Sequence, residues 1–193
     1  MNFMSAVRQT LNDEYNVSIT ENGAVGYRTT GKELLDLNFA VASLRKMPDA
    51  EVAKRFDSMP RRFWEDFAAM SETDQAIANF YVILKTYKIV FDFHINVTLR
   101  KWNSISKSVA KDDIMPEIYE ISSRDEYVDS WSDQTKDKIA SAYLTILRRV
   151  GMLDGNNQLC PLSCSNFEYY LERGEQWFLE SCLLQPYEIE TIK

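Results

Sequence analysis

One histidine and three cysteines are the side chains of this chain best suited to covalent or metal chemistry, and their spacing serves neither well. His94 stands in the most apolar stretch, two positions from Asp92. With no second histidine, any Ser-His or Cys-His nucleophile would have to run through it alone. Cys160 and Cys164 are spaced C-x3-C around Pro161, and with Cys182 and His94 they make a nominal zinc set. Structural zinc sites use tighter paired spacings. A packed or locally hydrogen-bonded core histidine and ordinary buried thiols account for these residues better. The carboxylate pairs Glu65-Asp66 and Asp112-Asp113 sit at helix starts or on exposed faces, where capping and the helix dipole explain them. No Gly-rich phosphate loop, G-x-S-x-G elbow or H-E-x-x-H helix is present. The residue types therefore predict a non-enzymatic protein with no metal, no cofactor and no small-molecule substrate.

A second chemistry is better spaced. In DSWSDQTKDKIASAYLTILRRVGML, Ser132 suits a helix N-cap and Gly151 a C′ position, predicting a helix over 132–151. Ile139, Ala142, Tyr143, Ile146, Leu147 and Val150 form its apolar stripe. Gln134, Lys138, Ser141, Thr145 and Arg148 lie opposite, with Arg149 at the edge and Asp137 as the one negative charge. Gln, Ser and Thr can bond base edges, and Lys and Arg can meet phosphates or guanine. Arg100, Lys101 and Lys107 are neighbouring cations. A solvated helix face explains the same residues, so the spacing alone leaves both readings open.

The elements that must position this face are helical. The chain has 193 residues, 45% hydrophobic and 26% charged, with only 6 Gly and 5 Pro. That composition suits a soluble, mainly α protein. The net charge of −7 opposes indiscriminate coating of nucleic acid. Residues 97–151 are neutral, whereas 158–193 are acidic, so a DNA-facing surface is expected in the former. The apolar stretch Ile77 to Leu99 is broken by Lys85, Lys88, Asp92 and His94, which predicts a buried helix and no membrane association. No signal-peptide pattern is present, predicting a cytoplasmic protein.

Three parts follow. Residues 1–57 predict amphipathic helices: one with Phe3, Val7 and Leu11 on a face, one at KELLDLNFAVASLRKM and one from Asp49, with SITENGAVGYRTTG as loop or turns. Residues 58–102 predict core helices. Met59, Phe63, Trp64 and Phe67 belong to one, and Ser71 caps another that runs unbroken from Gln75 to Trp102. Residues 103–193 predict a winged-helix-like module with a helical tail. Its helices are IMPEIYEIS, RDEYVDSW begun by Ser123, and 132–151, followed by a small hairpin near 152–162 around a Gly-Asn turn. Helix, helix, helix, hairpin is the order of a winged helix-turn-helix. The tail predicts two short helices broken at Gly174 and stopped before Pro186. Aromatics at core spacing include Phe63, Phe67, Phe80, Tyr81, Tyr87, Phe91 and Tyr143.

Two resemblances bear on function. TENGAVGYRTTGKELLDLNFAVASLR resembles the amino-terminal stretch of Ro-type TROVE RNA-binding proteins, although the D-x-S-x-S metal motif of that family is absent. From about Met59 onward the sequence resembles the BrxA-type proteins of BREX phage-defence cassettes. FYVILKTYKIVFDF, DSWSDQTKDKIASAYLTILRRVGML and EQWFLESCLLQPYEI carry that resemblance. It implies a small helical protein without enzymatic chemistry, likened to NusB-type RNA binders, and a winged-helix character that implies double-stranded DNA and other BREX components as partners. The expectation is a helical bundle with a winged helix-turn-helix module that binds DNA. The rivals are a protein–protein assembly factor of the same complex and a NusB-like RNA binder.

Overall fold

The computed structural model describes Val17–Ile19, Val25–Tyr27 and residues 55–192. The chain divides into two compact units, Met1–Thr86 and Tyr87–Lys193. In the first, β1 (Val17–Ile19) pairs antiparallel with β2 (Val25–Tyr27), Ser18 facing Gly26. This corrects the expectation of loop or turns there. The helices expected before residue 55 lie outside the described residues.

α1 (Arg61–Ala68) and α2 (Glu72–Thr86) follow. Phe63 and Trp64 are buried, with Trp64 against Phe56 at 4.3 Å between ring centroids and Phe63 against Tyr81 at 5.9 Å. Ser71 caps α2 as expected, its hydroxyl oxygen accepting from the Asp74 amide at 3.2 Å. The helix does not run on to Trp102. Tyr87 is extended (φ −117°, ψ 99°), and the Thr86 hydroxyl folds back to the Val82 carbonyl at 2.7 Å. Such back-bonding competes with helix continuation. The apolar pattern crosses the break unchanged, so periodicity could not reveal it.

The second unit begins with α3 (Lys88–Phe93), which continues through one wide π-helical turn (His94–Leu99) into α4 (Arg100–Trp102). α5 (Lys111–Ser122), α6 (Glu126–Asp129) and α7 (Asp133–Val150) come next. Asp113 fixes the start of α5 by accepting from the Ala110 amide at 2.9 Å. α6 is a single turn capped by Asp125, not Ser123, whose carboxylate accepts from the Val128 amide at 3.1 Å. α7 packs on α5, and α5 on α6. Phe93, Ile114, Ile118, Tyr143, Leu147 and Met152 are all fully buried.

α7 starts and stops as its caps dictate. The Ser132 hydroxyl oxygen accepts from the Thr135 amide at 3.2 Å. Gly151 takes φ 85°, and the Met152 amide reaches back to the Leu147 carbonyl at 2.9 Å, a Schellman ending. Because no atom stands within 4 Å of a Cβ built at Gly151, Gly151→Ala should cost only the left-handed strain, about 1 kcal/mol. A urea midpoint unchanged by that substitution would contradict the conformation.

After Gly151 the expected hairpin near 152–162 is cut down to isolated bridges, Leu153 with Leu159 and Ser108 with Gln158. Cys160 N–H donates to the Met152 carbonyl at 2.9 Å and Asp154 N–H to the Gln158 carbonyl at 3.0 Å. On the other side, Val109 N–H donates to the Asn157 carbonyl at 3.0 Å and Leu159 N–H to the Lys107 carbonyl at 2.8 Å. The ladder cannot lengthen. One arm enters α7 directly, and the Leu162 N–H is taken by the Cys182 carbonyl at 3.0 Å.

The tail holds α8 (Glu168–Leu171), α9 (Gln176–Ser181) and α10 (Pro186–Ile192). α8 and α9 stop before Pro186 as expected, and α10 is a third helix that the sequence pattern did not predict, with Pro186 as its first residue. Its missing N–H costs nothing in a first turn, and Glu188 accepts from the Gln185 amide at 2.7 Å. Among the described residues no helix is long and apolar enough to cross a membrane.

Candidate nucleic-acid interface

α7 presents Gln134, Lys138, Ser141, Arg148 and Arg149 to solvent, and Thr145 is half-buried. The Thr145 hydroxyl donates to the Ser141 carbonyl at 2.9 Å, so that donor is already used. Arg148 Nη2 donates to Asn157 Oδ1 at 2.7 Å, which ties the end of α7 to the turn of the ladder. The inward arc is rotated from the one expected. Ala140 and Leu144 are buried and Ala142 is exposed. Lys136 is buried too, its ammonium 5.4 Å from the centroid of the Tyr119 ring. A lysine that lays its stem inward reads as polar in any sequence pattern. Alanine, apolar but tolerant of solvent, hides the rest.

Asp137, the negative charge on this side, is met by Lys111 at 2.7 Å. That carboxylate raises the Lys111 pKa, chiefly through the hydrogen bond and then through its charge. Arg100 and Lys107 are exposed. Lys101 pairs with Asp113 at 2.5 Å. Lys107 takes a positive φ of 44° and lays its ammonium 4.0 Å from the centroid of the Trp102 ring. The Trp102 indole N–H is buried without a hydrogen-bond partner.

Charge within the neutral stretch is segregated along the chain. Residues 97–111 carry Arg100, Lys101, Lys107 and Lys111 with no carboxylate; residues 138–151 carry Lys138, Arg148 and Arg149 with none. Every carboxylate of 97–151 falls in 112–137. The ladder joins the two basic pieces: Asn157 holds Arg148 through its side chain and Val109 through its carbonyl, while Leu159 holds the Lys107 carbonyl. Lys107 and Arg148 thus converge on one turn. Lys138 stands about 15 Å further along α7, ten residues at ~1.5 Å each. Asn157, which the sequence reading passed over, is the residue that connects them. The Gly155-Asn156-Asn157 run was the available signal, since Asn tolerates the positive φ (61°) that Asn157 takes.

Beneath this surface lies a buried polar chain. His94 Nε2 is 2.8 Å from the Ser181 carbonyl, and Nδ1 is 3.0 Å from the Tyr143 hydroxyl, itself 2.6 Å from Thr98 Oγ1. A carbonyl only accepts, so Nε2 carries the proton, Nδ1 accepts from Tyr143, and Thr98 donates to Tyr143. All four residues are buried. Burial lowers the His94 pKa to about 4, against the opposing pull of the Ser181 carbonyl. Burial raises the Tyr143 pKa far above its usual value, and it raises that of Cys182 as well. The three cysteines are free thiols. Among the described residues no group of His, Cys, Asp and Glu could hold a metal ion.

Known proteins place the chain. The crystal structure of an uncharacterized protein from Magnetospirillum magneticum is similar to it at 20% identity, with 93% of this chain and 92% of that chain covered and a TM-score of 0.59. At that identity the likeness is one of fold. No curated protein matches the chain. The sequence model of the BrxA family matches residues 33–166, more than half of the chain. That match starts before the expected boundary near Met59 and takes in residues 33–57, part of the stretch expected to be TROVE-like, and the TROVE resemblance finds no support. Core helices, ladder and α7 all lie within the matched range, and this chain belongs to the BrxA family.

Proposed function

We propose that this protein is a non-enzymatic, cytoplasmic accessory of a BREX-type phage-defence system that binds double-stranded DNA and works with other BREX components. BrxA membership supports the defence setting. The DNA reading is carried by one observation, the segregation along the chain of every carboxylate of 97–151 from the two basic pieces that meet at the ladder, although Asp113 and Asp137 return to pair with Lys101 and Lys111. Polyphosphate binding depends on such local charge more than on net charge. The order of α3–α4, bridge at Ser108, α5, α7 and ladder supports a winged helix-turn-helix with α7 as recognition helix. In this reading Gln134 and Ser141 face base edges and Lys138 meets a phosphate, with Thr145 standing back. Arg148, Arg149, Arg100, Lys101 and Lys107 meet phosphates. Lys101 must exchange Asp113 for a phosphate, which the surface position of that ion pair makes cheap.

The test is a charge reversal on α7. Lys138→Glu with Arg148→Glu should weaken duplex binding at least tenfold and flatten the salt dependence by about two units of log–log slope, one per lost phosphate contact. The fold should survive because both side chains are exposed, and the hydrogen bond lost with them, Arg148 to Asn157, is itself exposed. An unchanged affinity and slope would remove α7 from the interface.

A protein–protein assembly factor is the second reading. The observation that favours it is the acidic 112–137 stretch, which exposes Tyr119 and Tyr127. A salt-series titration with duplex, single strand and structured RNA separates the readings. Binding to none of them favours the assembly factor, and preference for structured RNA favours a NusB-like protein.

A further inference from the structure

Residues 103–107 link α4 to the ladder, and at their centre Ile105 is exposed to 105% of its reference area. The loop is pinned on both sides of it. Asn103 N–H donates to the Leu99 carbonyl at 3.2 Å, and Ser104 N–H and Oγ donate to the Lys101 carbonyl at 3.0 and 2.7 Å. On the far side Lys107 is left-handed, its carbonyl accepts from Leu159 N–H at 2.8 Å, and its ammonium covers the Trp102 ring. Backbone bonds, not packing, hold the isoleucine outward. An isoleucine left in water forgoes about 1.5–3 kcal/mol that burial would supply.

Its surroundings decide what would bury it. Its chain neighbours Asn103, Ser104 and Ser106 are polar, unlike the apolar residues that fill the core of a protein interface. Arg100, Lys101, Lys107 and Lys111 surround it in the chain, with no carboxylate from 97 to 111. One aliphatic side chain among cations matches a kinked duplex, in which apolar wedges enter a base step while basic groups hold the flanking phosphates.

We infer that Ile105 is a wedge that enters a base-pair step of duplex DNA from the minor groove and bends it, with Arg100 and Lys107 on the adjacent phosphates. This inference rests on the DNA reading above and adds to it a second groove and a bent product. Pyrimidine–purine steps, TA above all, unstack most easily and should be preferred.

The experiment uses the full chain and a duplex with donor and acceptor dyes at its ends and 2-aminopurine beside a central TA step. Wild-type protein should raise both energy transfer and 2-aminopurine fluorescence. Ile105→Ala should lose both signals and bind about tenfold more weakly, since the wedge gain is partly offset by unstacking. It should keep the wild-type salt slope, because the phosphate contacts remain. Ile105→Phe, still a wedge, should restore both signals. Ile105→Ala that binds and bends like wild type overturns the wedge and leaves the DNA reading standing. Wild-type protein that does not bind the duplex overturns both.

Discussion

Tyr143→Ala is expected to lower the unfolding free energy by about 5 kcal/mol, the upper end for deleting a buried aromatic ring. The ring is 1% exposed and meets Phe93 edge-on at 5.5 Å between centroids. Its hydroxyl is also the middle of the chain from Thr98 to His94, so the truncation strands two buried polar groups as well as opening a cavity. Tyr143→Phe separates the two effects. It keeps the ring and should cost about 1–3 kcal/mol, the usual penalty for an unsatisfied buried partner. Urea unfolding monitored by circular dichroism measures both. A Tyr143→Phe protein as stable as wild type would show that the hydroxyl chain adds nothing to the fold.

Acid should destabilise the protein through His94. Its folded pKa is about 4 against an ordinary 6.5, because burial penalises the imidazolium. Above pH 6.5 the ring is neutral folded or unfolded, and its full contribution is present. Between pH 6.5 and 4 the unfolded chain takes up the proton first, so stability falls as pH falls. Below the folded pKa about 3 kcal/mol has been lost. The measurement is the unfolding free energy from pH 7 to 4 for wild type and His94→Gln. Carboxylates titrate in both proteins, and the difference between the two slopes belongs to His94. Identical slopes would sink this account. Because the ring is sealed from solvent, His94→Gln that remains folded should keep its activity in a phage-challenge assay.

Where α7 begins and ends could be read directly from local chemistry. Ser132 and Gly151 act through neighbouring amides and a left-handed turn, interactions that need only a few consecutive residues. The same is true of Ser71 and of His94 as a core residue, since a lone histidine in a dense apolar run has little else to be. Failures came where the deciding partner is distant or ambiguous. Nothing in KTYKIVFDFHINVTLRKW announces the break at Tyr87 or the π-helical turn at His94–Leu99. Pro186 closes off the preceding helices as its type suggests, but that it also opens another shows only in Glu188 accepting from the Gln185 amide.

The candidate interface divides the same way. Residue types determined which side chains could meet phosphate, and the placement of carboxylates along the chain separated them from the acidic 112–137 stretch. Lys138 and Arg148 face solvent because α7 is amphipathic, a property the sequence carries in its own periodicity. Only the tertiary structure decided that the Lys107 backbone and the Arg148 side chain are held at the same turn. That pairing runs through Asn157, which bonds Val109 and Arg148 from a turn about fifty residues beyond the first of them. It also decided that Lys136 is buried against Tyr119 and that Ile105 is not buried at all. The physical reason is range. Capping and periodicity act within one helical turn, whereas burial and cross-chain hydrogen bonds depend on which distant segments the fold brings together.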